Sequence, residues 1–273
     1  MSSTWDHIDK LEAEYKATAA TALNFEQFNL YAITHHSTRI EGSSLTQEET
    51  NVLLEKGSSI GGKPIEHQNM VLDHYEALIY ILDEARKKTP VTVSFIQEIA
   101  ARVMRRTGKE INSILGRTDE KKGDLRKVNV SAGGHYFIDV SKVEGFTSRL
   151  ANTVNEKISR VKTTEDIHSL AYVAHYDLVT IHPFSDGNGR TSRLLMNYIQ
   201  AYHERPLTLI DSNERVQYIE AIKATREQRD TAKIINFLAA QHVRGLTREI
   251  NAYRQSQKNS AGKGQDGGYS LVF

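Results

Sequence analysis

Four prolines in 273 residues constrain the fold of this chain more than any other feature. Proline in a helix interior removes a backbone hydrogen bond and clashes with the preceding turn, so helices end near prolines. Here they stand only at Pro64, Pro90, Pro183 and Pro206, with long uninterrupted stretches between. Within those stretches apolar residues recur at helical spacing. Ile8, Leu11 and Tyr15, then Leu23, Phe28, Leu30 and Tyr31, predict helix from about Asp6 to His36. Thr46-Gln-Glu-Glu has the form of a capping box, opening a helix that ends near Gly57. After a glycine-rich loop to Pro64, a helix is expected over 66–88, with Met70, Tyr75, Leu78, Ile79 and Leu82 inward. Further helices are expected over 93–105, 143–158, 164–180, 189–203, 213–227 and 231–252.

Residues 107–137 break the pattern. Gly108, Gly116, Gly123, Gly133 and Gly134 interrupt helical spacing, while Leu125, Val128, Val130 and Tyr136-Phe137 read as short strands. GDLRKVNVSAGGHYF, residues 123–137, therefore predicts a β-hairpin turning at Ala132-Gly133-Gly134. The expected fold class is all-α, mainly helical, with one small β-hairpin. The end, KNSAGKGQDGGYSLVF, reads as a disordered polar tail. A net charge of +1 gives no global field for nucleic acid or an anionic membrane, so neither is expected as a partner. The absence of cysteine excludes disulfides, Cys-ligated zinc and a thiol nucleophile. No leader pattern and no membrane-length apolar run is present, so a cytoplasmic protein is expected.

The densest chemistry lies in HPFSDGNGRTSR, residues 182–193. Gly187-Asn188-Gly189 separates two predicted helices, and such a turn can point successive N–H groups at an anion. The next helix adds its unpaired amides and positive dipole end. Arg190 and Arg193, at i and i+3, share one face of its first turn, and the guanidinium fork suits phosphate. Asp186 would repel bound phosphates unless a divalent cation stood between them; Mg²⁺ is commonly held by one or two carboxylates plus phosphates. With no cysteine in the chain and no lysine in the motif, His182 is the natural proton acceptor. The set describes phosphoryl or nucleotidyl transfer, and it is not a GxxxxGK[ST] loop, which uses lysine.

HPFSDGNGRTSR resembles the signature of the Fic (Fido) family, HPFx[DE]GNGRxxR, at every specified position. The resemblance implies a helical fold whose β-hairpin flap aligns a target by strand addition; residues 123–137 look like that flap. It implies transfer of AMP from Mg·ATP to a Ser, Thr or Tyr hydroxyl of a protein. His182 would be the base and Asp186 the Mg²⁺ ligand, with Gly187, Asn188 and Gly189 forming the anion hole. Arg190 and Arg193 would hold the phosphates, and Tyr218 falls in a segment that in relatives lies near the adenine. Segments 1–88, 89–245 and 246–273 then read as an N-terminal helical segment, the catalytic core, and a helix end with its tail. The resemblance also admits self-modification and a homodimer that would hide Glu41 further.

STRIEG, residues 37–42, is similar to the family's inhibitory-helix motif, [ST]xxxE[GN], through Ser37, Glu41 and Gly42. Ser43 departs from the asparagine usual in the run that follows. The resemblance implies that Glu41 pairs with Arg193 and excludes the γ-phosphate from it. Rival readings of the same residues are removal of AMP, transfer of another phosphorylated group, and a non-catalytic nucleotide sensor. An intact His182 and Asp186 speak against the sensor, because binding alone needs no base. His168 and His175 read as packing or surface residues, His35-His36 as exposed or hydrogen-bonded ones, and EKKGDLRK at 120–127 as a solvated loop.

Overall fold

The computed structural model describes residues 4–20, 25–132 and 134–263. The helix expected over 6–36 is divided into α1 (Thr4–Ala19) and α2 (Phe25–Ile40). Near the end of α1 the Thr18 hydroxyl donates to the Glu14 carbonyl at 2.9 Å. Thr46 caps α3 (Gln47–Lys56) with both bonds of the capping box formed, and Gly57 closes it at φ 64°. In α4 (Ile65–Arg86) the buried residues are Gln68, Val71, Asp73, His74, Ala77, Leu78, Ile81 and Ala85. Of the five side chains expected inward there, only Leu78 is fully buried. Met70, Tyr75, Ile79 and Leu82 flank these residues and stay half-exposed.

After α5 (Val93–Val103) comes a hairpin that polar, unalternating sequence concealed: β1 (Glu110–Ser113) against β2 (Gly116–Asp119), Glu110 opposite Asp119. The expected flap is present but small. β3 (Ser131–Ala132) pairs antiparallel with β4 (His135–Tyr136), and the Phe137 amide extends it by donating to the Val130 carbonyl at 3.2 Å. Leu125, Val128 and Val130 lie outside regular strand. Four helices complete the core: α6 (Val143–Ile158), α7 (Thr164–Ile181), α8 (Asn188–Tyr202) and α9 (Arg215–Gln228). α10 (Ala232–Lys263) runs past its expected end, so residues 258–263 of the predicted tail are helical; the remainder, including YSLVF, lies outside the described residues.

α7 and α8 pack as a central helical hairpin, with α4 and α5 on α8, and α6 and α10 on α7. Leu194, Leu195, Met196, Tyr198 and Ile199 are 0 % exposed, each worth about 1.5–3 kcal/mol of burial. Because α8 is buried all round, its polar residues must find partners within the protein. Ser192 donates to the Gly189 carbonyl at 2.9 Å, and Asn197 to the Thr208 carbonyl at 3.1 Å. A helix immobilised on every side presents its N-terminus in a fixed place.

α1 is pinned to this bundle by a buried polar clasp. Glu12 Oε1 receives His168 Nε2 at 2.7 Å and His242 Nε2 at 3.0 Å, while Arg205 reaches Oε2 at 2.8 Å. The three residues have the composition of a metal site, but hydrogen bonding fixes a different role. The Thr208 amide donates to Gln200 Oε1 at 2.9 Å, which turns Gln200 Nε2 onto His168 Nδ1 at 3.0 Å. That nitrogen must accept, so the His168 proton sits on Nε2 and goes to Glu12. Burial works against the Glu12 charge, yet the two imidazole donors prevail and hold its carboxyl well below the usual range. The clasp is a satisfied hydrogen-bond network that fastens the N-terminal helix to α7 and α10.

Candidate active site

α7 ends at His182, whose φ of 52° and ψ of 59° are left-handed; its amide still bonds the Leu178 carbonyl at 2.9 Å. Pro183 disfavours right-handed helix at the residue before it, and the helix ends in this reversal. His182 Nδ1 lies 3.3 Å from the Val179 carbonyl. A carbonyl only accepts, so Nδ1 carries the proton and Nε2 keeps its lone pair. Burial, only partly opposed by the Val179 bond, pushes the imidazole pKa down to about 4. The ring is neutral at pH 7, the form a proton acceptor needs.

Between the helices the loop is held by its own asparagine. Asn188 Oδ1 accepts from the Phe184 amide and its Nδ2 donates to the Phe184 carbonyl, both at 2.9 Å. Gly187, at φ 78°, would bring a Cβ within 2.9 Å of Met104 Sδ. The opening amides of α8 follow, without intrahelical partners, at its positive end. Asn188 thus leaves its backbone at the opening of α8 while its side chain staples the loop. Asp186 is two-thirds exposed, with Oδ1 on the Gly187 amide and 3.5 Å from Arg190. Arg190 is buried, its Nη atoms near the Val103 carbonyl (3.4 Å) and Met104 Sδ (3.3 Å). An exposed, hard carboxylate beside the free amides of a helix N-terminus fits the donor set of Mg²⁺. Glu120 lies in the same neighbourhood: burial, with Asp186's charge adding to it, raises its pKa.

Arg193 is 4 % exposed and already engaged. Its Nε donates to Ser37 Oγ at 2.8 Å, and one Nη reaches the Ser37 carbonyl at 2.9 Å and Glu41 Oε1 at 2.7 Å. Burial opposes the Arg193 charge, but the Glu41 carboxylate more than offsets it and raises the pKa. Glu41 Oε1 also stands 2.3 Å from where a Cβ on Gly189 would be. The carboxylate therefore rests on the first turn of α8, where an anion is favoured. Gly42, at φ 102°, ends α2 and lets the chain turn away. Tyr218 is buried, its hydroxyl 2.7 Å from His175 Nε2.

Three residues to which the sequence assigns no functional role lie against these elements. Phe137 of the flap stacks on His182 with ring centroids 3.7 Å apart and planes 16° apart. Its place beside the flap strand was the only signal. Arg126, expected in a solvated loop, is 2 % exposed and donates to the His182 carbonyl at 2.8 Å. Arg215 holds the end of α2, donating to the Ile40 carbonyl at 2.7 Å. His36, also on α2, is buried and takes the Ser212 amide at 3.1 Å.

The helical bundle thus presents a neutral histidine and a glycine-bounded helix N-terminus beside a small β-hairpin. Residues 90–200 match the Fic/DOC family, and the chain carries a Fic domain. It is 32% identical over 233 residues to the "Protein adenylyltransferase Fic" of Drosophila grimshawi, covering 85% of this chain and 45% of that protein. The chain thus spans about half the length of the relatives it matches. Two solved structures share its fold. One is a Fic-domain-containing signaling protein of Bacteroides thetaiotaomicron (TM-score 0.76, 24% identity, 91% of this chain and 98% of that one). The other is a glutamate-to-glycine variant of Fic-1 from C. elegans (TM-score 0.72, 24% identity, 93% and 72%).

Proposed function

We propose that this chain is an autoinhibited protein adenylyltransferase, moving AMP from ATP to a Ser, Thr or Tyr hydroxyl of a protein strand laid along the flap. The observation that carries the reading is a neutral His182, its Nδ1 proton on the Val179 carbonyl, at the head of the loop that leads into α8. His182 takes the hydroxyl proton, the hydroxyl oxygen bonds the α-phosphorus, and the bond to the bridging oxygen breaks to release pyrophosphate. Amides from the Gly187–Gly189 turn and the Arg190 guanidinium receive charge that develops on the phosphate oxygens. Arg193 serves the γ-phosphate once Glu41 has left it. Asp186 is the residue that would hold Mg²⁺, which when bound neutralises phosphate charge. The relatives' shared name supports the same chemistry. A cysteine-free chain suits work in a reducing compartment such as the cytoplasm.

Glu41 sits in cis on the guanidinium the γ-phosphate needs, which supports restraint of the site by its own N-terminal segment. The test is label transfer from α-labelled Mg·ATP by wild type, Glu41→Gly, and Glu41→Gly/His182→Ala, with and without lysate protein. Label on protein in Glu41→Gly alone is expected. If no sample takes label while nucleotide binding persists, the site performs AMP removal, uses another donor, or senses nucleotide.

A further inference from the structure

Between the flap and the catalytic loop lies a cation that makes no ion pair among the described residues, the charge of Asp139 opposing the effect of its burial without a direct contact. All of the Arg126 side-chain bonds go to backbone carbonyls: Nε to His182 (2.8 Å), one Nη to Val128 (2.7 Å), the other to Ile138 (2.6 Å). Its own amide donates to the Pro183 carbonyl at 2.9 Å. Val128 and Ile138 lie on the two arms of the flap, one before β3 and one after β4. One planar group therefore grips both arms and the carbonyl of the histidine they cover. Phe137, whose ring lies on the His182 imidazole, immediately precedes Ile138.

Stability alone is a poor account of this arrangement. A buried cation loses its hydration, and burial pushes the Arg126 pKa down. Apolar residues of similar volume usually stabilise a buried site at least as well as a charge does. What the guanidinium supplies is geometry: its donors are fixed in one plane, so the three carbonyls are held at set positions relative to one another. A lysine ammonium is a point donor on a flexible stem and fixes no such plane.

We propose that Arg126 is a positioning residue that locks the register of the flap to His182, so that a hydroxyl carried by a target strand arrives at the imidazole. The consequence for catalysis rests on the adenylyl-transfer reading above; the mechanical joint does not. Water needs no flap to reach the α-phosphorus, whereas a protein hydroxyl does. The ratio of AMP on protein to AMP released therefore separates positioning from general damage.

The experiment introduces Arg126→Gln and Arg126→Lys into the 273-residue Glu41→Gly chain. ATP affinity, AMP transfer to casein (an unfolded acceptor), ATP hydrolysis to AMP, and hydrogen exchange by mass spectrometry are measured on each. Exchange over 128–138 is expected to rise at least tenfold in Arg126→Gln, with α7 and α8 unchanged and ATP affinity within twofold. Transfer should fall at least tenfold more than hydrolysis. Arg126→Lys, which keeps the charge but not the fork, should move both readouts the same way by at least threefold. Wild-type flap exchange in both variants, or transfer and hydrolysis falling in proportion, would overturn the proposal. If Arg126→Gln exposes α7 and α8 as well, Arg126→Lys decides. If Glu41→Gly labels nothing, the adenylyl-transfer reading is what fails, and the exchange pattern alone decides the joint.

Discussion

Replacing Glu41 by glycine should raise ATP affinity by about 10- to 70-fold, and the structure fixes that range. The pair is a single 2.7 Å contact between a guanidinium 4 % exposed and a carboxylate 33 % exposed. A hydrogen bond between charged groups contributes about 1.5–3 kcal/mol. Glu41's access to water takes it below the upper limit. Ser37 retains two bonds to the guanidinium after the carboxylate is gone, so the cation is not orphaned. About 1.5–2.5 kcal/mol then corresponds to about 10- to 70-fold, at about 1.4 kcal/mol per decade. Calorimetric titration with Mg·ATP and Mg·ADP distinguishes the cause. ADP lacks the group that competes for Arg193, so its affinity should change less than twofold while ATP tightens. Glu41→Gln, which removes the charge and keeps the volume, should recover most of the gain. ATP and ADP tightening alike would refute a γ-phosphate block and point to a general electrostatic effect of Glu41 on the N-terminus of α8. Unchanged ATP affinity would remove the inhibitory role altogether.

In the Glu41→Gly chain, His182→Ala should lower AMP transfer by about 10²–10⁴-fold with nucleotide affinity retained, as measured by label transfer and titration. Because burial pushes the His182 imidazole down to about 4, its neutral form persists well below pH 6.5, so kcat/KM should hold until about pH 5. An inflection at 6.5 would mean the ring loses its cover in the working enzyme. Arg215→Ala removes a bond to the end of α2 and should raise wild-type transfer about threefold to tenfold, for a loss of about 1 kcal/mol. Stability should fall on acidification: burial holds His175 at about 3 and His242 at about 4, so both stay neutral in the fold while the unfolded chain binds protons below 6.5. At pH 5.5 each then costs about 1.4 kcal/mol relative to pH 7.5, offset by about 0.8 kcal/mol from Asp177, which burial raises to about 6. Urea midpoints at the two pH values check the net loss, to which His182 and His36, both also lowered to about 4 by burial, add in the same direction; equal midpoints would contradict the neutral buried imidazoles.

Much of this molecule was legible because local rules and tertiary structure agree. Helix bounds written in caps were read closely: Thr46 with Glu49 opens α3, and Gly57 closes it at a positive φ. The motif residues lie together because a loop between two packed helices leaves them little freedom. Ser37 and Glu41 meet Arg193 although 156 and 152 residues separate them in the chain. The face of α4 was placed wrongly because its buried side includes Gln68, Asp73 and His74, which periodicity in apolar residues does not count. Asp73 is kept there by Arg106, 2.7 Å away and 33 residues later. The β1–β2 hairpin escaped for a related reason: pairing between EINS and GRTD is a backbone matter, and neither segment alternates in polarity.

Arg126 shows where a reading of residue types reaches its limit. Set among Lys121, Lys122, Asp124 and Lys127, it has the surroundings of a solvated charge, and its neighbours in sequence are half- or fully exposed. Burial of a cation is ordinarily inferred from an acid that could accompany it, as Glu41 accompanies Arg193. Arg126 is accompanied by three carbonyls, groups that every residue carries and that no composition or spacing marks. Side-chain chemistry can be recognised in a sequence because it depends on which residues are present. The alignment of that chemistry depends on where backbone acceptors converge, and that is decided only when the flap, the catalytic loop and the end of α7 have packed.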